Sequence, residues 1–350
     1  MERAVYRIID ANFNRAREAA RTVEEFCRFA LNSEGLTGRA KQIRHELSGC
    51  MASLDVAKLM SSRDTLGDVG VGQKVEHQLT REDLCGFCAA ACKRLSEALR
   101  VLSEALRIEN ERVAEKIEEL RYAAYTLEKD VVLQSDTVEK FRRVQLYIVI
   151  TSDLPTEVLF LTKKCAAGGA DCIQLRTKTM ADDTLFALAV EFVKICRDAG
   201  IVSIINDRTD MAVAAGADGV HLGQTDLPVA QARNLELAPL IVGKSTHSPE
   251  QLRSACDERP TYVGLGPVFA TATKPSAPAV GLSYVKQAVQ MLEHHGISHV
   301  AIGGITPDNV GQVLEAGATS IAVCSAVTGA DDPADACREL KRRITEFQGT

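Results

Sequence analysis

Two kinds of hydrophobic spacing divide this 350-residue chain. From Met1 to about Arg143, apolar residues recur every three or four positions, as in amphipathic helices, and Gly and Pro are scarce outside Ser61 to Gly72. Phe13, Ala16, Ala20, Val23 and Cys27 form one stripe, with Asp10 or Asn12 as the expected N-cap, while Asn14, Glu18, Arg21 and Glu25 line another face. From Gln145 the pattern changes to short apolar runs separated by helix-length segments. The runs are Leu146 to Thr151, Cys172 to Leu175, Val202 to Ile205, Gly219 to Leu222, Leu240 to Gly243, Tyr262 to Leu265, His299 to Ile302 and Ser320 to Cys324. Eight strands in about 205 residues predict a small (β/α)8 TIM barrel, preceded by an all-α helical domain, with domains at 1–143 and 144–350. A doubly wound nucleotide fold is the competitor, but no Gly-x-Gly-x-x-Gly follows the first strand.

The helical part carries an internal similarity. Ala11 to Arg28 resembles Ala90 to Arg107, aligning Arg15 with Arg94, Glu18 with Glu97, Arg21 with Arg100 and Glu25 with Glu104. Either two related helices pack about a pseudo-twofold axis, or two Arg/Glu/Ala-rich helices are alike by chance. Cys85, Cys88 and Cys92 lie on one face of an apolar helix, where packing is the better reading than a metal cluster completed by His77. The polar loop Ser62 to Gly70, with Arg44 and His45 on a helix before it, either binds a ligand or is tied down by salt bridges.

Composition narrows the partners. Basic and acidic residues number 24 each through Arg143, leaving 17 basic against 23 acidic in the rest. Neither half reads as a nucleic-acid binder, and no apolar run approaches the roughly 18 residues of a membrane span. The charged N-terminus is no signal peptide and the eleven cysteines lack a disulfide pattern, so a cytoplasmic location with reduced thiols is expected.

Polar residues cluster just after the predicted strands, where a TIM barrel places its chemistry. Asp207 and Asp226 follow adjacent strands and suit one hard cation such as Mg²⁺, the alternative being that each merely caps a helix or turn. Gln174, Arg176 and Lys178 alternate and so aim one way. Asn206, Ser245 and the hydroxyl-rich run Gly266 to Lys274 add anion contacts, and Gly303-Gly304 and Cys324-Ser325 occupy the strand ends that commonly bind phosphate. One group, Arg176, Lys178, Asn206 and Lys274 with a cation, suits a pyrophosphate, and Gly304 with Ser325 suits a separate monophosphate. His221 and His247 are packing or hydrogen-bonding residues, since no Cys-His or Ser-His-Asp arrangement stands out.

With these residues in hand, Gln145 to Thr345 resembles the thiamine-phosphate synthase family through Gln-Leu-Arg-x-Lys, Asn-Asp-Arg, His-Leu-Gly-Gln-x-Asp, Gly-Pro-x-Phe-x-Thr-x-Thr-Lys and Ile-Gly-Gly-Ile. The resemblance implies joining of a hydroxymethylpyrimidine pyrophosphate to a phosphorylated thiazole with release of pyrophosphate. It implies that Asp207 and Asp226 hold Mg²⁺ and that Arg176, Lys178, Asn206, Ser245 and Lys274 grip the pyrophosphate. Gln174 would contact the pyrimidine, Thr271 and Thr273 the thiazole, and Gly304 with Ser325 its phosphate. Cys324 departs from the family's branched aliphatic residue. A thiazole tautomerase of the same barrel type is the nearest enzyme alternative, and a non-catalytic sensor of thiamine precursors is the alternative from another class. The helical part, with Arg-x-x-Asp-Ala-Asn-x-Asn-Arg at Arg7 to Arg15 and a Ser-Arg-Asp-Thr loop, is similar to a fused domain of the hydroxymethylpyrimidine phosphate kinase family. That implies ATP and a site drawn from Asn14, Arg15, Arg44, His45, Arg63, Asp64 and Asp68, although no Walker-type loop is present. The alternative is a regulatory or dimerisation bundle, which would make the protein a homodimer.

Overall fold

The computed structural model describes residues 2–69, 83–235, 239–271 and 278–349, and the chain forms two compact units, Met1–Ser135 and Asp136–Thr350. Unit 1 is helical: α1 (Glu2–Phe29), α2 (Glu34–Ala52), α3 (Val56–Ser62), α4 (Leu84–Glu109) and α5 (Glu111–Arg142), the last running on past the division between the units. The apolar stripe of α1 packs as its spacing demands, with Ala16, Ala20, Val23 and Cys27 buried against α2 and α4. Asp10 and Asn12 are not caps, for α1 begins eight residues before Asp10. Asn12 Nδ2 instead donates back to Ile8 O at 2.9 Å, and Asn14 Nδ2 to Asp10 O at 2.9 Å, so both amides are satisfied inside the helix. True caps occur at Ser33, Asp55 and Asp83, whose side chains accept from the first turns of α2, α3 and α4. The matched pairs of the internal similarity recur as ion pairs on the two helices, Arg21 with Glu25 and Arg100 with Glu104. Cys88 and Cys92 are buried in the helical core, and no group of three or more metal-ligating side chains stands among the described residues; His77 lies outside them.

Unit 2 is a closed parallel barrel in sequential order, β1 (Leu146–Thr151), β2 (Cys172–Arg176), β3 (Val202–Asn206), β4 (Gly219–Leu222), β5 (Ile241–Thr246), β6 (Tyr262–Leu265), β7 (Ser298–Ile302) and β8 (Ile321–Val323). Interleaved with the strands run α6 (Pro155–Ala167), α7 (Asp182–Asp198), α8 (Thr209–Ala215), α9 (Val229–Arg233), α10 (Pro249–Glu258), α11 (Gly281–Glu293), α12 (Val310–Glu315), α13 (Ser325–Thr328) and α14 (Pro333–Gln348). Pairing of β1 with β8 closes the sheet and excludes the open doubly wound alternative. Strand alternation sorts the side chains. Leu146, Ile148 and Ile150 face the helices, while Tyr147 and Val149 join Cys172, Val202, Ile204, Ile241, Tyr262, Val300 and Ala322 in the barrel interior.

β5 runs past the apolar run that marks it in the sequence. Lys244, Ser245 and Thr246 pair with Val263, Gly264 and Leu265 of β6 and so belong to the strand instead of following it. Polar residues are tolerated there because each finds a partner: Lys244 Nζ lies 3.8 Å from Glu258, and Thr246 Oγ1 donates to Gly264 O at 2.9 Å. The last turns of α5 belong to this unit. Lys140 pairs with Asp218 at 2.5 Å, and Phe141, 1 % exposed, stacks on Tyr262 with ring centroids 4.0 Å apart.

Candidate active site

The C-terminal ends of the strands open onto a cavity of about 200 Å³. Gln174, Arg176, Asn206, Asp207, Ser245, Thr271, Gly304 and Ser325 all line it, so eight residues singled out in the sequence come together. Lys178 and Asp226 are not in its lining. Lys178 sits beyond the end of β2, exposed in a bend where its own N–H donates to Asp153 at 2.8 Å, so strand alternation does not govern its side chain. Thr273 and Lys274 lie outside the described residues.

Each wall residue is held by its strand. Arg176 closes β2, and its Nη1 is buried without a hydrogen-bond partner among the described residues. Arg176 lines the cavity and carries a buried, unmatched guanidinium nitrogen, and an anion bound beside it would offset the desolvation of that charged group. Asp207 follows β3 with φ 62, a left-handed backbone that non-glycine residues adopt at a cost, and its N–H donates to His221 O at 2.8 Å. Behind it, Arg208 turns outward to Asp210 and Asp182, and those carboxylates raise its pKa. Asp226 accepts from the Gly223 N–H at 2.5 Å, the turn-capping contact open to any aspartate there. Asp207 and Asp226 thus stand just past adjacent strands and offer oxygen ligands only. One or two carboxylates completed by water and substrate phosphates is the usual protein share of a Mg²⁺ site, so this donor set fits that ion.

Across the cavity the backbone takes over. Gly303 and Gly304 have φ 108 and 65, and a Cβ on them would stand 2.5 Å from Pro267 and 2.6 Å from Ala270 O. Only glycine lets β7 meet the Pro267–Ala270 segment so closely. Asn309 fixes the Gly304 carbonyl at 2.9 Å, and Ser325 opens the single turn of α13. Ser245 Oγ lies 2.8 Å from His221 Nε2, and its carbonyl accepts from Gln224 Nε2 at 2.5 Å. His247 Nδ1 bonds the Gly266 carbonyl.

Among the lining residues absent from the sequence-derived set are two tyrosines, Tyr147 and Tyr262. Their signal was present, since each is a polar-tipped aromatic on the inward parity of its strand, Tyr147 two positions before Val149 and Tyr262 two before Gly264. Burial raises the pKa of both well above the usual tyrosine value, so both stay neutral hydroxyls.

In the helical unit, Arg63 grips Asp10 through two bonds of 2.6 and 2.8 Å, Asn14 Nδ2 reaches Asp10 Oδ1 at 3.4 Å, and Arg7 reaches Asp64 O at 3.4 Å. Asp64 also accepts from Gly67 N at 2.8 Å. Arg44 bonds Glu24 at 2.8 Å on another part of α1. Arg15, His45 and Asp68 are exposed, and no hydrogen bond or ion pair among the described residues joins Arg15 or His45 to the Asp10 group. These contacts tie Arg63 and Asp64 of the loop to α1.

A closed (β/α)8 barrel with a buried arginine, two aspartates and a diglycine at the C-terminal ends of its strands defines an enzyme scaffold suited to small anionic substrates. The family model described as thiamine monophosphate synthase matches residues 146–327, and that of the ThiD2 family matches residues 7–130. A thiamine-phosphate synthase from Synechocystis sp. is 39 % identical over 345 residues, covering 98 % of this chain and 97 % of that one. One from Rhodopirellula baltica is 38 % identical, covering 98 % and 94 %. A thiamine phosphate pyrophosphorylase structure from Pyrococcus furiosus aligns with TM-score 0.54 at 34 % identity, over 58 % of this chain and 96 % of that one. The chain belongs to the thiamine monophosphate synthase family and is an enzyme, a transferase of thiamine biosynthesis. Among the described residues no helix is long and apolar enough to cross a membrane.

Proposed function

We propose that the barrel joins 4-amino-5-hydroxymethyl-2-methylpyrimidine pyrophosphate to 4-methyl-5-(2-phosphoethyl)thiazole, giving thiamine phosphate and pyrophosphate. The observation that carries this reading is the buried, unmatched Arg176 Nη1 in a cavity also lined by Asn206, Asp207 and Ser245. The reaction is dissociative: as the C–O bond breaks, negative charge grows on the leaving pyrophosphate, and donors already aimed at it lower the barrier. Arg176, Asn206 and Ser245 grip that group together with Lys178 and Lys274, while Gln174 orients the pyrimidine. Thr271 and Thr273 contact the thiazole, and Gly304 with Ser325 holds its phosphate through backbone and hydroxyl donors. Asp207 and Asp226 would hold Mg²⁺, which neutralises charge on the leaving group when bound. Mixing both substrates with Mg²⁺ and following pyrophosphate release tests the reading, and absence of release refutes it. A thiazole tautomerase would not consume the pyrimidine pyrophosphate, nor would a sensor.

The helical unit is proposed to phosphorylate hydroxymethylpyrimidine phosphate with ATP and so supply the barrel's substrate, drawing on Asn14, Arg63, Asp64 and their neighbours. Its match to the ThiD2 family supports this. Full-length protein given the pyrimidine monophosphate, ATP and the thiazole phosphate should form thiamine phosphate. Turnover only with the pyrimidine pyrophosphate would leave the unit as a regulatory or dimerisation module.

A further inference from the structure

A file of hydrogen bonds crosses the barrel interior through five strands. Gln174 Nε2 lies 2.8 Å from Tyr147 Oη, which lies 2.9 Å from Tyr262 Oη. Tyr262 Oη lies 2.9 Å from His221 Nδ1, and His221 Nε2 lies 2.8 Å from Ser245 Oγ at the cavity. Tyr262 is the hub and is held rigidly. Its ring stacks on Phe141 at an interplanar angle of 14°, and a Cβ at Gly243 of β5 would fall 2.2 Å from its Cζ.

Such a file runs in one of two senses. Each phenol carries one hydrogen and two lone pairs and a neutral imidazole one N–H, so once the Tyr262 hydrogen is given to His221 or withheld from it, the imidazole tautomer and the Ser245 bond follow. Gln174 Nε2 only donates. It occupies one of the two lone pairs of Tyr147, and in the sense that continues this bond the Tyr147 hydrogen passes to Tyr262 and Tyr262 gives its own to His221 Nδ1. In that sense the imidazole proton sits on Nε2 and donates to Ser245 Oγ, which leaves the serine hydrogen for the cavity. In the opposite sense the serine hydrogen is spent on His221, and a lone pair faces any anion in the cavity.

We propose that Tyr262 is a positioning residue for the synthase reaction: its hydroxyl holds His221 in the Nε2–H tautomer and thereby presents Ser245 as a hydrogen-bond donor to the anionic leaving group. This rests on the reading in which Ser245 grips the pyrophosphate. In this role Tyr262 acts through His221 and Ser245.

The test uses full-length protein labelled with ¹⁵N-histidine, with His221→Gln identifying the His221 signals. Long-range ¹H–¹⁵N spectra should show a protonated Nε2 and an unprotonated Nδ1 in the wild type, and a mixture of tautomers in Tyr262→Phe, which keeps the ring on Phe141. A wild-type Nδ1–H tautomer, or an unchanged tautomer in Tyr262→Phe, overturns the proposal. In pyrophosphate-release assays Tyr262→Phe should lower kcat about tenfold, less than the roughly 10²- to 10³-fold expected for outright loss of an aimed donor. The same substitution added to Ser245→Ala should lower it no further, and an equal drop in that background overturns the proposal by showing that Tyr262 acts elsewhere. Full turnover in Ser245→Ala refutes the underlying reading of the serine, an outcome distinct from a wrong tautomer.

Discussion

Replacing Arg176 with methionine should stabilise the barrel while nearly abolishing turnover. The guanidinium Nη1 is buried with no hydrogen-bond partner among the described residues, so the protein folds with a charged donor stripped of water and unmatched. An unsatisfied buried donor costs about 1–3 kcal/mol, and methionine removes that cost while filling much of the same volume. For a unit of about 200 residues, 1 kcal/mol moves the unfolding midpoint by roughly 2–4 °C, so the midpoint should rise by several degrees. In the proposed reaction Arg176 meets the charge that grows on the leaving pyrophosphate, and its loss should then lower kcat by about 10²- to 10³-fold. Differential scanning calorimetry and coupled pyrophosphate detection on one preparation read both effects. Arg176→Met with a lowered midpoint and near-normal turnover would refute the reasoning, for the arginine would then serve the fold and not the substrate.

Other substitutions probe other parts of the barrel. Gly243→Ala, whose Cβ would stand 2.2 Å from Tyr262, should cost about 1–3 kcal/mol by overpacking and lower pyrophosphate release, and a melt unchanged from the wild type would refute that packing. Removing Mg²⁺ with EDTA should halt release, and Asp207→Asn should raise the half-saturating Mg²⁺ concentration by at least about tenfold, equivalent to about 1.4 kcal/mol of binding; an unchanged Mg²⁺ titration counts against Asp207 as a ligand. Burial lowers the His299 pKa from 6.5 to about 4, and its Nε2 accepts from Thr319 N–H at 3.1 Å. The unfolded chain therefore takes up a proton that the folded state refuses, so this contribution is complete above pH 6.5 and fades as pH falls toward 4, by at most about 3 kcal/mol. Denaturant midpoints across that window should fall less steeply in His299→Gln, and an equal slope would exclude His299 as the cause.

The barrel was legible because its strands are buried on both faces and read as unbroken apolar runs between helix-length segments. Where a strand carries polar residues that find partners, as at Lys244 to Thr246, the run stops short of the strand. The start of α1 lies well before its cap-like residues for a related reason. Asp10 and Asn12 look like caps, yet Asn12 back-bonds to the preceding turn and Asp10 is buried beneath Arg63, a partner 53 residues away that local spacing cannot reveal. At the candidate site, charged and glycine-rich strand ends announced themselves. Tyr147 and Tyr262 did not, because an aromatic inside an apolar run reads as packing, and their bonded hydroxyls appear only when β1 and β6 face each other across the closed barrel.

Phe141 has a practical consequence for where this protein is cut. Its ring forms the underside of Tyr262, and Lys140 anchors the same turn to Asp218. A barrel expressed from Val144 would begin with β1 intact yet lack this stopper, admitting water beneath the hydroxyl that orients His221. One begun at Asp136 keeps the stopper in place, so of two fragments with all eight strands, the one that is eight residues longer should retain the well-ordered interior.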